Sequence, residues 1–166
     1  MFNQPEVVEL SLKIIDKLNQ NSIRCTVLTK GCYPKELAGR NGQSASNEYG
    51  ITLVSLDENF RKEFEPNSAT LKDRIKALKN LSSRGFKTWV SMEPYPTPNL
   101  IKQDLREILG AVSFVNKIIF GRLNYSVKSS QFKYTKEFYN SQALSVIQFC
   151  KKNRIDYHIK AGTQVR

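Results

Sequence analysis

The sequence predicts an α/β fold, an incomplete (β/α) barrel with about five parallel strands. Short apolar runs rich in β-branched residues alternate with longer amphipathic segments along the chain. The strands recur about 26 to 39 residues apart, the length of a strand–helix–strand repeat. A closed barrel of eight such repeats needs about 250 residues, whereas this chain has 166. We therefore expect an open, curved sheet that does not close into a barrel, in a single domain that spans residues 1–166.

Each predicted strand is a short apolar run ended by a turn or polar residue. The five runs are Cys25–Lys30, Ile51–Leu56, Lys87–Met92, Lys117–Gly121 and Asp156–Lys160. The first is expected to be buried. Because the chain opens on a helix, this strand is also expected at an edge of the sheet, where a loop, a terminus or another chain must cover it. Self-association through that edge is one expected consequence.

Apolar residues at spacings of three and four predict the helices. These lie at residues 5–20, 71–81, 100–112 and 134–153, with a further short helix near 34–39. Pro5 suits the first turn of the first helix. Asn67 or Ser68 is expected to cap the helix that follows the second strand, and Gly85 is expected to end it.

The charge and composition limit the classes of function that the chain can have. The chain has 26 Lys and Arg against 15 Asp and Glu, a formal net charge of +11, which favours a nucleic-acid partner. Solvated helix faces explain the same charges equally well, because the basic residues are spread over almost every helix. No membrane span or leader sequence is recognisable, so we expect a cytoplasmic protein without a membrane partner.

The cysteines predict no metal site. Cys25, Cys32 and Cys150 are widely spaced, whereas disulfide frameworks and zinc sites need closely grouped thiols. We expect Cys25 and Cys150 to be buried as small apolar residues. No phosphate loop, zinc-protease motif or serine–histidine–aspartate arrangement is present, and no catalytic residue is assigned. His158 lies within a predicted strand and is expected to be a packed or surface residue.

Polar residues follow two neighbouring strands at their carboxyl ends. Glu93 ends an apolar strand before Pro94, so its carboxylate is expected to reach the mouth of the sheet and accept hydrogen bonds from a ribose diol or an amine. Arg122 ends the next strand and is the expected counterion. A purely structural ion pair across the strand ends is the alternative. Asn124 and Tyr125 extend the same rim, where Tyr125 could stack on adenine or another base.

From Glu6 to Lys160 the chain resembles the radical S-adenosylmethionine (SAM) superfamily, and in particular its spore photoproduct lyase-like branch. The matching elements, in order, are Val27–Gly31, Thr52–Asp57, Glu65–Pro66 and Phe120–Asn124. In that family a first strand carries a CxxxCxxC loop that binds a [4Fe–4S] cluster. This sequence lacks the loop and resembles the family without its first unit.

The resemblance implies a set of SAM-binding residues. Lys30 occupies the position of a family lysine that contacts the cosubstrate, and Ser55 that of a family serine with the same role. With Glu93, Arg122 and Asn124 they form the expected SAM-binding rim. Catalysis of the lyase type, as in DNA repair, is implied only for a full-length form with its cluster, so this chain alone is expected to be inactive and to bind SAM weakly.

Two other interpretations stay open at this point. A non-catalytic basic α/β module would use its charge to hold nucleic acid. An unrelated hydrolase or lyase would use Glu93 as a general base near Lys30. The substrate is not indicated by any motif.

Overall fold

The computed structural model describes residues 4–39, 46–124 and 126–164. Five strands form one parallel sheet whose spatial order follows the order along the chain, which confirms the predicted fold class. The strands are β1 (Thr26–Thr29), β2 (Glu48–Thr52), β3 (Lys87–Tyr95), β4 (Lys117–Arg122) and β5 (Asp156–Ile159). The helices are α1 (Pro5–Gln20), α2 (Lys35–Ala38), α3 (Glu58–Phe64), α4 (Leu71–Ser82), α5 (Leu105–Ala111), α6 (Val127–Ser130) and α7 (Thr135–Asn153).

The chain divides into two compact units, and β3 contributes to both. The units are Met1–Thr52 with Asp57–Trp89, and Leu53–Leu56 with Val90–Arg166. In the first unit β1 pairs in parallel with β2, so that Val27 lies opposite Tyr49. In the second unit β4 pairs in parallel with β5, and Ile118 lies opposite Tyr157.

Strand β1 lies at an edge of the sheet, as expected. The expectation that it is buried is wrong. Val27 and Thr29 are buried, whereas Thr26 and Leu28 are exposed, and 44% of Leu28 is accessible. This alternation is typical of a strand with only one covered face. β-Branched residues occur both in strands buried on two faces and in strands buried on one face, so the composition of β1 alone overestimated its burial.

The core of the first unit is built around aromatic rings. Tyr49 is fully buried, and its ring meets those of Tyr33 and Phe86 edge-on, with centroids 5.6 and 5.7 Å apart. On the sheet beside them the indole of Trp89 lies against Gly50. A β-carbon at Gly50 would come within 2.3 Å of the Trp89 ring, so this position needs glycine because of the close approach.

The core of the second unit contains a tyrosine that joins a strand end to a helix. The hydroxyl of Tyr139 on α7 donates to the Tyr95 carbonyl at 2.7 Å and accepts from the Leu123 N–H at 3.0 Å. The rings of Tyr95 and Phe120 lie 5.2 Å apart. Burial raises the pKa of Tyr95 to about 12 and also raises the pKa of Tyr139.

Helices α4 and α5 begin at capping side chains other than those expected. Asn67 and Ser68 do not cap α4; the Thr70 side chain accepts from the Asp73 N–H instead. The helix expected over residues 100–112 begins only at Leu105, because the Asp104 carboxylate caps it by accepting from the Arg106 N–H. Helix α3 was not predicted.

Two strands also differ in extent. The second was expected at Ile51–Leu56 but ends at Thr52, since Leu53 and Val54 are buried in the connection to α3. The third was expected to end at Met92, yet β3 continues through the cis Glu93–Pro94 bond to Tyr95, whose carbonyl accepts from the Leu123 N–H at 3.1 Å. None of the helices in the described ranges has the length and hydropathy of a membrane span.

Candidate functional site

Lys30 directly follows β1, as predicted, and its ammonium group is paired. The Lys30 Nζ lies 3.0 Å from Oε1 of Glu65. The side chain of Glu65 is only 7% exposed, whereas that of Lys30 is 46% exposed. The lysine therefore stays accessible to a ligand while a buried carboxylate holds its head group.

A fully buried arginine completes this cluster in the first unit. The Nη2 atom of Arg74 lies 2.7 Å from Oε2 of Glu65, and the Arg74 side chain has no accessible surface. Its Nη1 donates to the Thr52 carbonyl at 3.0 Å, and its Nε donates to the Ala69 carbonyl at 2.9 Å. A buried charge is tolerated only when it is paired and hydrogen-bonded, and Arg74 meets both conditions.

In the second unit Glu93 lies near the end of β3, and its carboxylate is supported from two sides. Its Oε2 lies 3.1 Å from the Nζ of Lys160, which follows β5. Its carboxyl group lies against Gly121 of β4, where an added β-carbon would be 2.8 Å from Cδ of Glu93. The Glu93 side chain is 30% exposed. It is thus an oriented acceptor that a hydroxyl or amine donor can still reach.

Arg122 lies at the end of β4, but it is not the counterion expected for Glu93. Lys160 takes that place, and the Nε of Arg122 donates to the Oδ1 of Asn124 at 2.7 Å. The Arg122 N–H lies 3.4 Å from Oγ1 of Thr163. The interpretation of Arg122 as the partner of Glu93 is therefore corrected. Tyr125, the expected stacking residue, lies outside the described residues.

Ser55 lies in the buried connection Leu53–Leu56 after β2. It is 2% exposed, and the neighbouring Val54 carbonyl accepts from the Nε2 of Gln103 at 2.9 Å. A direct contact between Ser55 and a ligand would require this connection to open.

The cysteines and the histidine do not form a metal site. The described residues contain no group of three or more His, Cys, Asp or Glu side chains that could hold a metal ion. Burial raises the pKa of all three thiols, that of Cys150 to about 11. Cys150 is buried as expected, whereas Cys25 is only partly covered. His158 is exposed on β5.

Sequence analysis missed the role of Glu65 and Arg74, although the sequence contains a signal for it. The buried positions of α4 are Leu71, Arg74, Leu78 and Leu81, so the arginine lies on the apolar stripe. A charged residue at such a position requires a buried partner of opposite charge. The partner itself lies in the preceding loop and has no periodic signature.

By sequence the chain is similar to a protein that is described as uncharacterized. The chain is 34% identical over 127 residues to the uncharacterized protein MJ0683 of Methanocaldococcus jannaschii, a match that covers 76% of this chain and 46% of the relative. The chain thus spans less than half the length of the curated relative it matches. No family model matches the chain.

Comparison by structure is more informative about the fold. A domain of pyruvate-formate lyase-activating enzyme from Bacteroides vulgatus superposes with a TM-score of 0.64 at 15% identity, covering 93% of this chain and 91% of that one. SuiB of Streptococcus suis bound to S-adenosylmethionine gives a TM-score of 0.62 at 14% identity, covering 90% of this chain and 36% of SuiB. The chain therefore has the fold of these two proteins, an α/β fold with five parallel strands in one sheet.

Proposed function

We propose that this chain is part of a radical SAM protein of the spore photoproduct lyase-like branch, and that it supplies residues that bind SAM. The observation that carries the proposal is the oriented carboxylate of Glu93, which lies over Gly121 near the end of a strand in the radical SAM fold. Ligands of open α/β sheets and barrels bind at the carboxyl ends of the strands. A fold can host several functions, so the site has to carry the argument.

The accessible side chains fit the polar groups of SAM. The Lys30 ammonium, 46% exposed, is a donor for the methionyl carboxylate. The Glu93 carboxylate is an acceptor for the ribose hydroxyls, and Lys160 holds it in place. Arg122 and Asn124, hydrogen-bonded to each other, supply further donors. Ser55 contributes only if its buried connection opens.

The described residues do not fit a [4Fe–4S] cluster. Such clusters are held by closely grouped thiolates, whereas burial raises the pKa of each of the three thiols here and no metal-binding group is formed in the described ranges. In radical SAM proteins the cluster and SAM together supply the electron transfer and hydrogen-atom abstraction. The described residues therefore do not supply the cluster ligands, and we derive no chemical step for the chain alone.

SAM affinity tests the proposal. Without iron to chelate the amino-acid part, we expect a dissociation constant of about 1 mM, a binding free energy of about −4 kcal/mol. Calorimetric or NMR titration should show weaker binding by Glu93→Ala than by wild type. Glu107→Ala, which removes an exposed glutamate from α5, is the matched control and should bind SAM as wild type does. Equal affinity of all three proteins would contradict the proposal.

A second candidate function is nucleic-acid binding, and one feature of the first unit favours it. Lys35, Lys76 and Arg84 line a groove of about 590 Å³, where Asp73 is the acidic lining residue. Lys72 and Lys79 are close to Lys76 on the same face of α4, given the helical spacing of three and four residues. Such a concentration of positive charge fits a phosphodiester backbone.

The salt dependence of binding distinguishes this second function. Anisotropy of a labelled single-stranded oligonucleotide should show affinity that falls steeply with salt, and neutralising the three groove residues to Gln should make the log–log slope shallower by about two. The control changes Lys128, Lys151 and Lys152, exposed lysines of the other unit, to Gln and removes the same charge. If both triple variants change the salt dependence of oligonucleotide affinity equally, the binding depends on net charge alone and not on the groove.

A further inference from the structure

Glu65 holds two cations at once through its two carboxylate oxygens. Its Oε2 lies 2.7 Å from Nη2 of Arg74, and its Oε1 lies 3.0 Å from Nζ of Lys30. With one carboxylate between two cations, the cluster keeps a net charge of +1. It therefore retains an attraction for an anionic ligand, and the accessible part of that charge is the ammonium of Lys30, since Arg74 is fully buried.

Arg74 is fixed in place by more hydrogen bonds than pairing with Glu65 alone requires. Besides Glu65, it donates to the Thr52 and Ala69 carbonyls and, at 2.6 Å, to the hydroxyl of Ser68. The guanidinium group is planar, so several fixed acceptors determine its orientation. The orientation of the Glu65 carboxylate follows from that of Arg74.

The loop between α3 and α4 also fixes the backbone at the end of β1. The Ala69 N–H donates to the Lys30 carbonyl at 3.0 Å, and the Ser68 hydroxyl donates to the Glu65 carbonyl at 2.6 Å. Backbone and side chain of Lys30 are thus both tied to the segment between α3 and α4. An exposed lysine normally samples many rotamers, and restricting it before binding lowers the entropic cost of a contact with a ligand.

We infer that Glu65 is a positioning residue for ligand binding: clamped by Arg74, it holds the Lys30 ammonium where that group receives the carboxylate of the SAM amino-acid moiety. This inference rests on the proposed function. Only one of the three N–H donors of an ammonium group is needed for Glu65, so Lys30 retains donors for the ligand. Glu65 acts through Lys30 and does not itself touch the ligand.

The test compares SAM with 5′-methylthioadenosine, which keeps the adenosine and thioether but lacks the amino-acid carboxylate. Glu65→Gln preserves the shape of the side chain and removes its charge. We expect it to weaken SAM binding about 2- to 10-fold, the effect of freeing one rotamer-rich side chain, and to leave 5′-methylthioadenosine binding unchanged. Lys30→Met should weaken SAM binding in the same selective way, and the Lys30→Met/Glu65→Gln double variant should lose no more than Lys30→Met.

Glu9→Gln is the control, because Glu9 is also paired with a cation, Lys13, on the exposed face of α1. It should leave the affinity for both ligands unchanged. A Glu65→Gln variant that binds both ligands equally weakly has a general structural defect, and one that binds SAM as wild type does makes Glu65 irrelevant; both results overturn the inference. If Glu65→Gln does not fold, Glu65→Asp keeps the charge and withdraws it from Lys30, and the same ligand selectivity is expected.

If the proposed SAM-binding function is wrong, the variants show a different pattern of SAM affinities. In that case Lys30→Met binds SAM as wild type does, whatever the effect of Glu65→Gln. If Lys30→Met loses SAM affinity selectively and Glu65→Gln does not, the proposed SAM contact stands and only the positioning role of Glu65 is overturned.

Discussion

The carboxyl group of Glu93 occupies the space that a side chain at Gly121 would fill. A β-carbon on Gly121 would lie 2.8 Å from Cδ, 2.9 Å from Cγ and 3.0 Å from Oε1 of Glu93. A side chain at position 121 would therefore displace the carboxyl group of Glu93, whose Oε2 lies 3.1 Å from the Lys160 ammonium. The orientation of the candidate ligand-binding carboxylate depends on the absence of one methyl group.

Gly121→Ala should displace the Glu93 carboxylate and weaken its pairing with Lys160. Overpacking of a closed core costs about 1–3 kcal/mol; because the Glu93 side chain is 30% exposed and can move aside, we expect the free energy of unfolding to fall by about 1 kcal/mol, the lower end of that range, as measured by urea denaturation. Gly110→Ala is the control, because a β-carbon there meets nothing within 4 Å and alanine favours the helix by about 0.5–1 kcal/mol. Equal stability of Gly121→Ala and wild type would contradict the close packing described here.

Arg74→Met should be among the most destabilising single substitutions. It leaves Glu65 buried with one of its two partners removed, and breaking a buried ion pair costs about 3–5 kcal/mol. Arg106→Met removes an arginine whose pairing with Asp104 is exposed to solvent, and it should leave the urea midpoint unchanged. A wild-type midpoint for Arg74→Met would mean that Lys30 alone compensates the charge of Glu65.

Tyr139→Phe should lower the free energy of unfolding by about 1 kcal/mol, because the Tyr95 carbonyl loses the hydroxyl donor and the Leu123 N–H loses one acceptor. The Leu123 N–H still donates to the Tyr95 carbonyl at 3.1 Å, which limits the loss. Tyr134→Phe changes a tyrosine that is 57% exposed and serves as the control in thermal or urea unfolding. A larger loss for Tyr134→Phe than for Tyr139→Phe would speak against the role of this hydroxyl.

Anaerobic reconstitution with iron and sulfide should give no stoichiometric cluster on this chain. Closely grouped thiolates are required, and burial raises the pKa of the three thiols present, that of Cys150 to about 11. The measurement is visible charge-transfer absorbance together with bound iron per chain after desalting. A stable cluster at one per chain would show that the cysteines assemble in a way that the described structure does not.

The fold was largely predictable because its buried faces are mostly apolar and regular. Helices α1 and α7 and strand β4 follow their hydrophobic periodicity within a residue or so. The second strand was displaced because Leu53 and Val54 continue the apolar run beyond Thr52, and periodicity cannot distinguish a buried connection from a buried strand.

The candidate site was only partly predictable. Glu93 could be predicted because a polar residue at the end of an apolar strand lies at the carboxyl end of a parallel sheet, whereas Lys30 was identified only through the resemblance to the radical SAM superfamily. Their partners could not be predicted, since the pairing of Glu93 with Lys160 in place of Arg122 depends on side-chain geometry between strands distant in sequence. Glu65 lies in a loop and is defined by tertiary contacts with Arg74 and Lys30 alone.

The central claim, that the strand ends bind SAM, is tested most directly by mapping the bound ligand. Amide chemical shifts followed during SAM titration should change around Glu93 and Gly121, at the strand ends of the second unit. These changes should weaken in Glu93→Ala and persist in the Glu107→Ala control. Shifts confined to other surfaces, or shifts that Glu93→Ala leaves unaltered, would contradict the claim. The chain would then share only its fold with SAM-binding proteins.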